Sequence, residues 1–266
     1  MIEAVSSGLV SPKRATVGAA DVPRALLAPR GVFARVEDVP AYGWPLVLLL
    51  AAVTLIGYAT VETGLIDREV ERQTRQKIAA LEKEQLDAVE RSALSTMIEE
   101  KRKEGEFLRL MTRMQAVVVR PIAALASVLL ISALFYGVVA LTGRKPEWHT
   151  LLTICVFASF VDVVGLILRL AFMLRFHTLE ADTSLALLTR VMNVEGGGTG
   201  MVALSGLLSA VDPFRIWFWL LMIIGLSATS QLRGWKCWLT CTLFWLIAAG
   251  ARAGLAVASA GSVARG

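Results

Sequence analysis

The strongest constraint on this chain is a set of five apolar runs, residues 44–61, 121–142, 150–174, 214–230 and 236–258. Each is close to the length that crosses a hydrocarbon core. Inside a bilayer no water pairs with the backbone, so a crossing segment must satisfy its own N–H and C=O groups, as a helix does. The expected fold class is therefore all-α: a polytopic membrane helical bundle of five transmembrane helices. Composition agrees. The 266 residues are 56% hydrophobic and 18% charged, with mean hydropathy +0.63, which is too apolar for a soluble domain.

The fourth run has the most marked entrance. Asp212 stands before Pro213, a pairing suited to an N-cap followed by a first helical residue. From Phe214 to Ala228 only Arg215 is charged, and its long stem can reach the headgroups from the mouth of the span. Trp217 and Trp219 lie near the same end, as interfacial aromatics do. Gly225 and Ser227 are small enough for a neighbouring helix to approach closely.

Residues 1–43 read as a cytoplasmic tail. Its later part holds an interfacial helix begun by Pro29 and limited by Pro40, with Leu26, Leu27, Val32, Phe33 and Val36 among charges. Residues 62–120 are the one large polar stretch, nearly balanced in charge and free of proline. A single helix there would be ~80 Å long, so a helical hairpin outside the bilayer is expected instead. The Thr96/Glu99 capping-box pattern, preceded by Ser92 and Ser95, places its turn near 92–96. Pro121 then predicts a kink or break where the chain enters the second span. The connection 175–211 includes the glycine-rich run 195–200, but no Lys-Ser or Lys-Thr follows it, so it is not read as a phosphate loop.

The charges inside the spans are Asp162, Arg169 and Arg252. An isolated carboxylate at that depth is costly, so Asp162 is expected to face the bundle interior and to pair with Arg252 or hydrogen-bond a neighbouring helix, with Arg169 snorkelling outward. A structural pair that fixes helix register is the simpler role, and an ion or proton relay the alternative.

Orientation follows from basic residues in short loops. The tail carries five, and the two tight turns carry Arg144 with Lys145 and Arg233 with Lys236. Grouping them places the amino end in the cytoplasm, the carboxyl end outside and the hairpin on the outer face. No nucleophile motif, metal-site spacing or cofactor motif occurs. Cys155, Cys237 and Cys241 lie in apolar runs as small hydrophobes, and His149 and His177 lie at span edges. The expectation is no enzyme, no cofactor, no metal and no nucleic acid, since the basic residues form no stripe.

The order of five spans after a polar tail, with Asp212, Phe214 and Trp217 opening a span that closes on Ile224, Gly225, Leu226 and Ser227, resembles the Yip family. Pro29, Phe33, Pro40, Trp44 and Pro45 are similar to its bacterial branch. The resemblance covers roughly residues 29–257. It implies a membrane protein that binds other membrane proteins, as eukaryotic members bind Ypt/Rab GTPases, and it carries no catalytic residues. Two functions remain: a scaffold or accessory protein, possible in export or trafficking, and a small transporter or channel subunit using Asp162, Arg169 and Arg252. The first is favoured, because a conduction path needs polar residues at several depths. The expected partners are the bilayer of a bacterial inner (plasma) membrane and other membrane proteins, an exporter complex among them, with a homo-oligomer open.

Overall fold

The computed structural model describes residues 17–36, 40–85, 91–176, 212–232 and 234–263. Within these, the side chains at 65, 80–95, 176, 252, 253 and 255–263 fall outside the description. The described elements are helices: α1 (Asp21–Leu27), α2 (Pro29–Phe33), α3 (Gly43–Glu62), α4 (Leu65–Gln85), α5 (Arg91–Met114), a π segment (Gln115–Val119), α6 (Arg120–Leu141), α7 (Trp148–Phe176), α8 (Pro213–Ala228) and α9 (Trp235–Val263).

Among the described residues, three helices are long and apolar enough to cross a membrane: Gly43–Glu62, the continuous Thr96–Leu141 and Trp148–Arg175. Pro213–Ala228 and Trp235–Ala251 are shorter apolar helices. Of the five expected runs, the fourth thus forms a helix below full spanning length, while the fifth continues as a helix to Val263. For α8 the cause is local: Pro213 starts it, and Ser230 at φ 57° turns the chain after it. Sixteen residues rise only ~24 Å.

The core forms around α7. Leu151, Ile154, Cys155, Val156, Phe157, Ala158 and Val161 are all buried, and α1, α3, α6 and α8 pack on this helix. Its apolar residues occupy every face, as a central helix requires. Phe157 meets Phe33 at 6.5 Å and Trp44 at 6.4 Å between ring centroids. Phe135 on α6 meets Phe244 on α9 at 5.1 Å.

The amino-terminal segment differs from the single interfacial helix expected. It forms two short helices, because Pro29 cannot continue α1 and Ala28 leaves the helical region at φ −136°, ψ 63°. They pack into the bundle, α1 on α7 and α2 on α8, burying Ala25, Val32, Phe33 and Val36. Asp21 holds the fold of this segment. Its carboxylate accepts from the Gly18 N–H at 2.8 Å and from Arg35 at 2.5 Å. The Trp44 indole N–H donates to the Val17 carbonyl at 2.9 Å, tying the segment to α3.

Gly64, at φ +66°, separates α3 from the polar helix α4. Helices α4 and α5 run antiparallel: Asp67 pairs with Arg113 at 2.5 Å and with Arg109 at 3.5 Å, Thr74 faces Gly105, and Lys77 meets Glu104 at 3.6 Å. The expected turn at 92–96 is not there. Those residues are helical within α5, so Thr96 does not open a helix. A capping box resembles an ordinary polar helix turn when the preceding residues also propagate the helix. Residues 86–90, between the two helices, lie outside the described residues.

At Pro121 the chain neither breaks nor stops. The helix widens just ahead of it into the π segment, where the Arg120 N–H bonds the Gln115 carbonyl. In that pattern the Ala116 carbonyl would next need an N–H from residue 121, which proline lacks. That carbonyl faces Gly57 of α3, and a Cβ placed on Gly57 would sit only 2.1 Å from its oxygen. The missing hydrogen, the widened turn and the glycine belong to one contact.

The two short basic turns meet at one end of the bundle. The Arg144 guanidinium donates to the Ser230 carbonyl, and the Glu147 N–H donates to Gln231 Oε1 at 3.3 Å.

Candidate intramembrane charge cluster

Three helices bring charge to one place. Two turns of α7 carry Asp162 and Arg169, the first turn of α8 carries Arg215 behind its cap Asp212, and α6 opens with Arg120. These five side chains line a cavity of about 310 Å³, with Val53, Ala124 and Phe214 among its apolar walls.

Local sequence sets the α8 end. Asp212 is extended (φ −106°, ψ 131°), and its Oδ1 accepts from the Phe214 N–H at 2.9 Å, the N-cap expected from Asp-Pro. The other carboxylate oxygen lies 3.6 Å from Arg169 Nη2. Arg169 thus meets an acid delivered by another helix while its own side chain stays 40% exposed. Gly165 makes the approach of α8 possible, since a Cβ there would stand 3.2 Å from the Phe214 ring.

Asp162 lines the same cavity and is exposed to it. Its expected partner, Arg252, has a side chain outside the described residues. Arg120 and Arg215 enter the cluster although neither was assigned to it from the sequence. The usable signal was their position, each within the first three residues of a span. The two make no ion pair or side-chain hydrogen bond among the described residues. Among the described residues, three guanidiniums thus face two carboxylates.

The other motif residues lie elsewhere. Gly225 is buried at the far end of α8, where a Cβ would come within 2.5 Å of Ile154 Cγ2 on α7. Ser227 is turned outward, its hydroxyl donating to the Ile223 carbonyl, so the close contact rests on the glycine alone. Trp217 packs half-buried against the core. The three cysteines are buried, and the Cys155 and Cys237 thiols sit near the Val128 and Ile223 carbonyls at 3.5 Å and 3.4 Å. Among the described residues no group of three His, Cys, Asp or Glu side chains could hold a metal.

A second surface lies on the polar helices. The groove between α4 and α5 holds mixed charges, including Glu71, Arg75, Arg102 and Glu106. On α4, the hydrogen bond from Arg72 keeps Glu69 below the ordinary carboxylate range. The outer face of α5 is different. Phe107, Leu110, Met111 and Met114 are 60%, 57%, 47% and 48% exposed, an apolar stripe at helical spacing that α4 does not cover.

The Yip1 domain matches residues 24–254, from α1 into α9 and across the whole charge cluster. No match was found among curated proteins or among solved structures. With that span matched and several apolar helices in place, the chain belongs to the Yip1 domain family and is a multi-pass membrane protein.

Proposed function

We propose that this protein is a membrane scaffold or accessory protein, without enzymatic chemistry, that binds other membrane proteins through α5. The observation that carries this is the exposed stripe Phe107, Leu110, Met111 and Met114. Isolated exposed apolar residues are ordinary, but a continuous stripe on a polar helix marks an interaction face. It runs without interruption into the apolar half of the Thr96–Leu141 helix. The occupant that suits it is an apolar helix of another membrane protein rising from the same bilayer. In this reading α4 and α5 are an extramembrane hairpin that positions the stripe, and five crossings put the two termini on opposite sides. The amino end is cytoplasmic, in a bacterial inner membrane.

The charges also support a scaffold over a transporter or channel subunit. Arg120, Asp162, Arg169, Asp212 and Arg215 line one cavity rather than a file of sites at successive depths. Copurification from native membranes in mild detergent tests the function. Leu110→Glu with Met114→Glu should release companions that the unaltered chain retains, while Leu141→Ser, at the exposed far end of α6, should not. Companions retained equally by all three proteins would reject α5 as the docking face. Reporter fusions at both termini test the topology, and equal cytoplasmic signals would reject it.

A further inference from the structure

The charged cavity does not stand alone. A second cavity of about 350 Å³ adjoins it and shares Val53, Ala124, Asp162 and Arg215. Its remaining walls are mainly apolar and run between α6, α8 and α9, past Leu130, Phe135, Phe244 and Ala248. Side by side, the two cavities offer a cationic end and an apolar tail. From this shape we propose that the groove binds a single anionic phospholipid, its phosphate among Arg120, Arg169 and Arg215 and one acyl chain along the apolar extension.

Charge decides the head end. Arg169 is held 3.6 Å from Asp212, while Arg120 and Arg215 have no ion-pair partner among the described residues. Arginine at a membrane boundary is stable when an anion meets it, and its planar fork matches phosphate oxygens. A carboxylate or chloride would also neutralise the charge. Neither would fill the apolar extension, which is the larger of the two cavities and lies directly against Arg215. Ala124 and Val53 line both cavities, so the two ends adjoin there. The surface of the bilayer supplies the ligand without a soluble route, and a partner bound to α5 would leave the groove free.

Native mass spectrometry of the full chain tests this. The delipidated protein, titrated with phosphatidylglycerol in mixed micelles, should retain one lipid per chain. Diacylglycerol, which lacks the phosphate, should be retained about tenfold less or weaker still, as expected for loss of a charge-assisted contact. Arg120→Gln with Arg215→Gln should weaken phosphatidylglycerol by at least a similar factor. Ala248→Phe, which fills the apolar extension and leaves every charge in place, should weaken it too. Inorganic phosphate at tens of millimolar should not displace the bound lipid. Equal retention of diacylglycerol and phosphatidylglycerol by the unaltered chain would overturn the proposal whether or not the variants fold. Complete displacement by inorganic phosphate would overturn it as well, leaving a site for the free anion.

Discussion

Gly57→Ala should be among the most damaging single-methyl additions in the described bundle. The new Cβ would lie 2.1 Å from the Ala116 carbonyl oxygen and 2.9 Å from its carbon, whereas real Cβ atoms essentially never come within 3.0 Å. Roughly 1 Å must open between α3 and the π segment, and the obstacle is backbone, which cannot rotate aside. A gap of that size forfeits a quarter to a half of the dispersion attraction across the seam. Overpacking costs typically about 1–3 kcal/mol, and this case belongs at the upper end. The better helix propensity of alanine returns up to ~1 kcal/mol, so a net loss near ~2 kcal/mol is expected. Gly137→Ala is the matched control, because nothing lies within 4 Å of its Cβ position; it should be neutral or slightly stabilising. Titration from mild detergent into sodium dodecyl sulfate, followed by fluorescence of the seven tryptophans, gives the unfolding midpoints. Coincident midpoints for the two variants would refute the close approach. Adding Pro121→Ala to Gly57→Ala restores a backbone donor, lets the wide turn close and draws the carbonyl back. A double variant no more stable than Gly57→Ala would refute the link between the proline and the glycine.

Gly225→Ala should also destabilise, by about 1–3 kcal/mol, because Ile154 is fully buried and stiff at χ1. Combining it with Ile154→Ala should cost less than the sum of the single losses, and strict additivity in the same titration would show that the two residues do not meet. Asp212→Ala should lose the α8 cap, costing about 0.5–2 kcal/mol, whereas Asp212→Asn keeps a capping oxygen and loses the charge that faces Arg169. Equal losses in those two variants would argue against the cap as the main contribution. Asp21 lies outside the spans, and the Gly18 N–H first, then Arg35, hold its carboxyl below the ordinary range. Its folded pKa is therefore lower than its unfolded value of about 3.9, so its contribution is full above that value and is lost as pH falls through the folded pKa. Asp21→Asn should flatten the acid limb of a stability–pH profile, and an unchanged acid limb would refute the assignment.

The sequence by itself determined what depends on neighbours along the chain. Apolar runs had to become helices, since a crossing backbone has only itself to bond with. Asp212-Pro213 set the start of α8 within two residues, and Pro29 set the start of α2. The motif residues from Asp212 to Ser227 were enough to point to the family. The same local reasoning failed at Thr96, where a cap pattern and a continuing helix share one set of residues, and at Pro121, where the widened turn depends on what α3 offers. Only the tertiary structure decided which glycine is tight and which is open: Gly57 and Gly137 look alike in sequence, yet one faces a carbonyl and the other empty space. It also decided that Arg120, Arg169 and Arg215, from three different helices, face one cavity beside Asp162 and Asp212. Helical period fixes the face on which a residue lies, but the rotation and depth of each helix against its neighbours come from packing, and packing partners here stand tens of residues apart in the chain.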